Sequence, residues 1–125
     1  MKGSLVLSSE QGHLKNGRFD IDRMLEMLSA AVNQALNEGY QGLLGTGDMS
    51  WEFGPEKDFS KLVEYERRLE ELFQEHPTLF GICQYHTDTL PAQTVQAGVL
   101  AHKAFLLNET LSRLNSQCHP VEVLI

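Results

Sequence analysis

The sequence predicts an α/β fold, a three-layer sandwich in which a mostly parallel sheet is flanked by helices. Three observations lead there. Short apolar runs alternate with longer segments whose apolar residues recur every three or four positions. The runs are apolar throughout, as in parallel strands buried on both faces, rather than alternating apolar and polar. The chain has 125 residues, which fits one domain, and residues 1–125 are read as such.

The elements follow in the order β-α-β-α-β-α-β. LVLSS, Leu5–Ser9, reads as a short buried strand, and the polar Glu10–Phe19 with its two glycines as a loop. Asp20 suits a helix N-cap, with Asp22 in the favoured acidic first turn. Ile21, Met24, Leu25, Leu28, Val32, Ala35 and Leu36 then mark one face of an amphipathic helix that Gly39 stops. Gly42–Thr46 is the next strand, and GDMSWEFGPEKD is a connection. Asp58 caps a second helix with the stripe Phe59, Leu62, Tyr65, Leu69, Leu72 and Phe73. Its charged face, Glu64, Arg67, Arg68, Glu70 and Glu71, reads as solvated, and Pro77 ends the unit. Thr78–Tyr85 is a third strand. Pro91 opens a helix reaching about Leu107, with Val95, Val99, His102, Phe105 and Leu106 on one side. ETLSRLNS is a turn or a fourth strand, and VEVLI, Val121–Ile125, an edge strand.

Composition narrows the function classes. A formal charge of −7 argues against nucleic acid and against an anionic membrane surface, because both need a basic face. No apolar run approaches the ~20 residues of a membrane span. Met1–Gly12 has one lysine and too brief an apolar stretch for a secretory signal, so the expected location is cytoplasmic. Of the two cysteines, Cys83 lies in the apolar LFGIC and reads as a reduced, buried thiol; Cys118 is the other. With no CxxC and scattered histidines, no metal site is expected.

In open α/β sheets ligands bind beyond the carboxyl ends of the strands. SSEQGH, TGDMSW and QYHTD fall there. Asp48 can act as a base, a metal ligand or a hydrogen-bond acceptor, or simply cap neighbouring N–H groups. Trp51 can stack on a ligand or pack against the domain's own core, and Met49 reads as core. Gln84, Tyr85, His86 and Asp88 can supply polar contacts, and His86 with Asp88 suggests a proton shuttle. The apolar strand ending in Asp48 loosely resembles a Walker B strand, but no GxxxxGK[ST] accompanies it, and no nucleophile elbow or triad motif is present.

EGYQGLLGTGDMSW, LVEYERRLEELFQEHP and GICQYHTDTLP, in that order, resemble the MEDS domain, the methanogen/methylotroph DcmR sensory domain. GRFDIDRML, Gly17–Leu25, resembles that family's earlier helix start, and the likeness covers about residues 5–107. It implies a relative of the RecA/KaiC ATPase fold without a phosphate loop, here its C-terminal portion, with a strand, a helix and a strand of the family domain missing ahead of LVLSS. It implies sensing of a small molecule without catalysis and with no cofactor. The implied binding residues are Thr46, Asp48, Ser50, Trp51, Gln84, Tyr85 and His86. His86 stands where the family has an acid, and Asp88 is the alternative bearer of that role. VEVLI has no place in the family pattern. A half-sheet exposes an edge that a second copy can cover, so a homodimer is expected, beside a histidine kinase or regulator as output partner.

Overall fold

The computed structural model describes residues 5–7, 14–108 and 111–114. The chain is mixed α/β, with a small parallel sheet flanked by helices. It opens with a hairpin, β1 (Leu14–Lys15) and β2 (Arg18–Phe19), where the polar stretch suggested only a loop. Asn16 and Gly17 make the turn with φ of 54° and 76°, the paired left-handed conformation that suits a two-residue hairpin.

Helix α1 (Ile21–Asn37) begins as the sequence suggests: the Asp20 carboxylate accepts from the Arg23 N–H at 2.8 Å. It ends in a Schellman turn. Gly39, at φ 94°, donates to the Leu36 carbonyl and Tyr40 donates to that of Ala35, an arrangement that needs a left-handed residue. Strand β3 (Leu43–Asp48) follows, then the four-residue helix α2 (Met49–Glu52), which the sequence reading treats as plain connection. Asp58 caps a 3₁₀ turn, Phe59–Lys61, that leads into helix α3 (Leu62–Glu75). Strand β4 (Leu79–Gln84) then pairs parallel with β3, from Leu43 opposite Leu79 to Asp48 opposite Gln84.

Two further expectations are corrected. Helix α4 spans Ala92–Ala101 rather than reaching Leu107. His102 is already extended, at φ −110° and ψ 138°, and Ala104–Asn108 forms β5, antiparallel to β6 (Leu111–Leu114). Cross-strand pairing of this apolar run overrides its weak helical spacing. The second correction concerns Leu5–Ser9. Its described part, Leu5–Leu7, is exposed and is not a strand; apolar residues alone do not make a strand without a neighbour to pair with. Ser8 and Ser9, Cys118 and Val121–Ile125 lie outside the described residues.

The core joins α1, α3 and the β3–α2 junction. Phe19, Met24, Met49, Phe53, Leu62, Tyr65, Leu69 and Leu90 are buried together. The rings of Phe19, Phe53 and Tyr65 interlock, with centroids 4.5 to 6.2 Å apart, the tilted and edge-on geometry that aromatic quadrupoles favour. The opposite face of α3 is solvated, as expected, and Arg67 pairs there with Glu64 and Glu71. One face of the β3–β4 sheet lies against helices: a Cβ on Gly81 would stand 2.6 Å from the Phe73 ring. The other face is open, with Leu44, Phe80 and Ile82 exposed by 60%, 63% and 41%. No helix among the described residues is long and apolar enough to cross a membrane.

Candidate functional site

The parallel register brings Asp48 and Gln84 level where both strands end. Asp48 is the hinge of the site. Its Oδ1 accepts from the Ser50 N–H and the Ser50 hydroxyl, both at 2.9 Å, which starts α2 by capping it. Its Oδ2 faces His86 Nε2 at 3.1 Å. Thr89 Oγ1 lies 3.4 Å from Ser50 Oγ, and the Lys57 ammonium donates to the Ser50 carbonyl. These groups line a cleft of about 530 Å³, whose wall is completed by Phe59 and Leu90.

The electrostatics favour an ionised Asp48. Partial burial opposes its charge, but the two Ser50 donors and the His86 ring outweigh it and hold the carboxyl below the ordinary aspartate range. Beneath it, Glu52 on α2 is buried, and burial pushes its carboxyl up to about 7. The Tyr65 hydroxyl bonds this carboxyl and works against the shift. The glycine before Asp48 now has a reason. A Cβ on Gly47 would stand 2.0 Å from Glu52 Oε1, so only a residue without a side chain lets the buried acid in.

Of the residues that the sequence singles out, Asp48, Ser50 and His86 come together in this cleft. Thr46 and Gln84 are exposed on the open sheet face and do not line it. Trp51 is half-buried and Asp88 exposed, both outside the lining. Tyr85 turns to the covered side. Its hydroxyl donates to Glu66 Oε1 at 2.6 Å, and its ring meets that of His102 edge-on at 6.0 Å. Gly98 makes room for it, since a Cβ there would lie 2.3 Å from Tyr85 Cζ. Strand alternation explains the split, because successive side chains leave the backbone on opposite sides.

Two groups of residues escape the sequence reading. Lys57, Phe59, Thr89 and Leu90 line the cleft from loops and a 3₁₀ turn; no periodicity marks Lys57, Thr89 or Leu90, and the apolar stripe marks Phe59 only as core. Glu66, only 7% exposed, sits with Cys83 and His102 on the covered side. One facing donor atom from each of the three lies within 4.8 Å of the others. Burial raises the Glu66 carboxyl, with His102 and the Tyr85 hydroxyl pulling the other way, and burial raises the Cys83 thiol as well. The readable signal was an acid inside the apolar stripe, between Leu62 and Leu69.

A family model described as "MEDS: MEthanogen/methylotroph, DcmR Sensory domain" matches residues 1–103. No curated protein and no solved structure matches the chain.

Proposed function

The chain belongs to the MEDS family of sensory domains, and from that premise we propose that it binds a small molecule in the cleft at Asp48 and His86 without turning it over. One observation carries the reading: Asp48, Ser50 and His86, from two separate strand ends, converge on one cleft at the carboxyl edge of a parallel pair. That is where α/β sheets hold ligands. The cleft's size falls within the range of small-molecule sites. Asp48 supplies an acceptor, His86 and Lys57 supply donors, and Phe59 and Leu90 supply an apolar wall. The matching ligand is a small organic molecule with one polar end.

Catalysis is disfavoured by the wiring. The Ser50 hydroxyl donates to Asp48 Oδ1, whereas His86 engages the other oxygen, Oδ2. The hydroxyl therefore faces only the Asp48 carboxylate, which its lowered pKa makes a weak base, and His86 is not aligned on it. A ligand that displaces His86 from Asp48 would loosen the cap of α2 and shift the connection that follows. We read the fold as a RecA/KaiC-like portion without a phosphate loop, acting in the cytoplasm on a histidine kinase or transcription regulator.

A second reading, a homo-oligomeric assembly module, is favoured by Leu44, Phe80 and Ile82 on the open sheet face. A second copy is the occupant of matching chemistry. Native mass spectrometry of freshly purified protein tests both readings. The sensory reading expects extra bound mass that disappears in Asp48→Ala and His86→Ala. Bound mass that persists in both variants overturns the site. A ligand-free dimer that Phe80→Glu splits moves the weight to assembly.

A further inference from the structure

We infer that Glu66, Cys83 and His102 form a binding site for a thiophilic divalent cation of the Zn²⁺ class. This site is separate from the cleft and does not rest on the sensory reading. Its residues come from α3, β4 and the end of α4. Tetrahedral Zn²⁺ bonds of about 2.0–2.3 Å place two ligand atoms ~3.3–3.5 Å apart. Glu66 Oε2 and His102 Nε2 are already 3.5 Å apart, and the three donor atoms lie within 4.8 Å of one another, so closure on an ion takes side-chain shifts on the order of 1 Å.

The surroundings are arranged as a metal site needs. His102 Nδ1 is 2.6 Å from the Gly98 carbonyl. A carbonyl only accepts, so Nδ1 carries a proton, and Nε2 is the nitrogen left to bind a metal when the ring is neutral. Nε2 is the atom that faces Glu66 Oε2, at 3.5 Å. Backbone fixation of one imidazole nitrogen is how metal-bound histidines are commonly oriented. The Tyr85 hydroxyl holds Glu66 Oε1 and so directs Oε2 toward His102. A buried carboxylate is costly without an opposing charge, and a bound cation supplies one. The donor set decides the ion: a thiolate and an imidazole beside one carboxylate suit Zn²⁺, while Mg²⁺ and Ca²⁺ demand oxygen ligands. Cys83 binds as the thiolate, its proton passing to solvent. Three protein ligands leave one tetrahedral position for water or an added donor.

The test uses the full chain, stripped with a chelator and titrated with Co²⁺ and then Zn²⁺. One equivalent of Co²⁺ is expected to bind with thiolate charge-transfer absorption, and Zn²⁺ to displace it. Cys83→Ser should abolish that absorption. Glu66→Gln and His102→Gln should each weaken Zn²⁺ binding at least tenfold, as loss of one ligand does, while Cys118→Ser should change nothing. Absence of stoichiometric binding overturns the site, as does absorption that survives Cys83→Ser or vanishes with Cys118→Ser. Should the variants unfold, the unsubstituted protein still decides: Zn²⁺ must slow alkylation of Cys83, and equal rates with and without metal refute the proposal.

Discussion

The two sides of the β3–β4 strand ends treat the same chemical groups in opposite ways. On the open side, Asp48 meets His86, whose side chain is 54% exposed. On the covered side, Glu66 meets His102, whose side chain is 28% exposed. Each is a carboxylate beside an imidazole. Yet Asp48 is held below its ordinary range by Ser50 and His86, while Glu66 is driven above its own by burial. Proximity to a histidine therefore does not decide the charge state; the depth of burial does, since both carboxyls have hydrogen-bonding partners and only that of Glu66 is deeply buried. The covered side holds buried side chains of the core, and the open side keeps its groups accessible.

The largest expected effect tests the covered side through Glu52. Its folded carboxyl titrates near 7 against an ordinary 4.5. Below pH 4.5 both states hold the proton and nothing is lost. Above that, the unfolded chain ionises first, so stability falls as pH rises toward 7, by up to about 3 kcal/mol. Urea unfolding across this interval should show the decline, and Glu52→Gln, which keeps a partner for Tyr65, should make it shallower, with Glu66, also raised by burial, retaining a part of it. The shift at Asp48 has the opposite sign, so its contribution is lost as pH falls. Next comes Gly98→Ala. Its Cβ would strike the Tyr85 ring, and overpacking should outweigh the gain in helix propensity, for a net loss of about 1–2 kcal/mol. Thermal melts should register this while ligand binding in the cleft persists. Asp48→Ala removes the α2 cap and should cost about 1 kcal/mol, together with ligand binding. Smallest is His86→Ala, within about 0.5 kcal/mol by denaturant titration because the pair is exposed, even though binding is lost. If His86→Ala proves more destabilising than Gly98→Ala, the contrast between the sides fails.

Much of the scaffold could be read before folding, for a physical reason. Helices α1 and α3 announce themselves through 3.6-residue spacing and the Asp20 and Asp58 caps, and β3 and β4 through short apolar runs. All of that information is local. The hairpin at Leu14–Phe19 carries an Asn-Gly signal, but strands of two residues leave no pattern around it. The end of α4 is hidden in the sequence because Phe105 and Leu106 continue its spacing while the chain has already turned into β5. For the cleft, strand-end logic reached Asp48, Ser50 and His86. It could not split Tyr85 from His86, since that depends on which side of β4 the helices cover. Glu66, Cys83 and His102 had no local spacing to betray them. Only the packing of three elements makes them neighbours.

The parallel pairing of β3 and β4 also dictates an order of assembly. Leu43 bonds across to the strand that begins at Leu79, with all of α3 in between. The sheet cannot form until that long stretch of chain is closed, and the closure entropy is offset only once helix and strands pack together. The hairpin at Asn16–Gly17 and the helices need no such closure, whereas the Asp48 cleft and the Glu66 cluster exist only once it is made. Partly unfolded chains would own the individual side chains of each cluster and the arrangement of neither, so binding at either place would report complete folding.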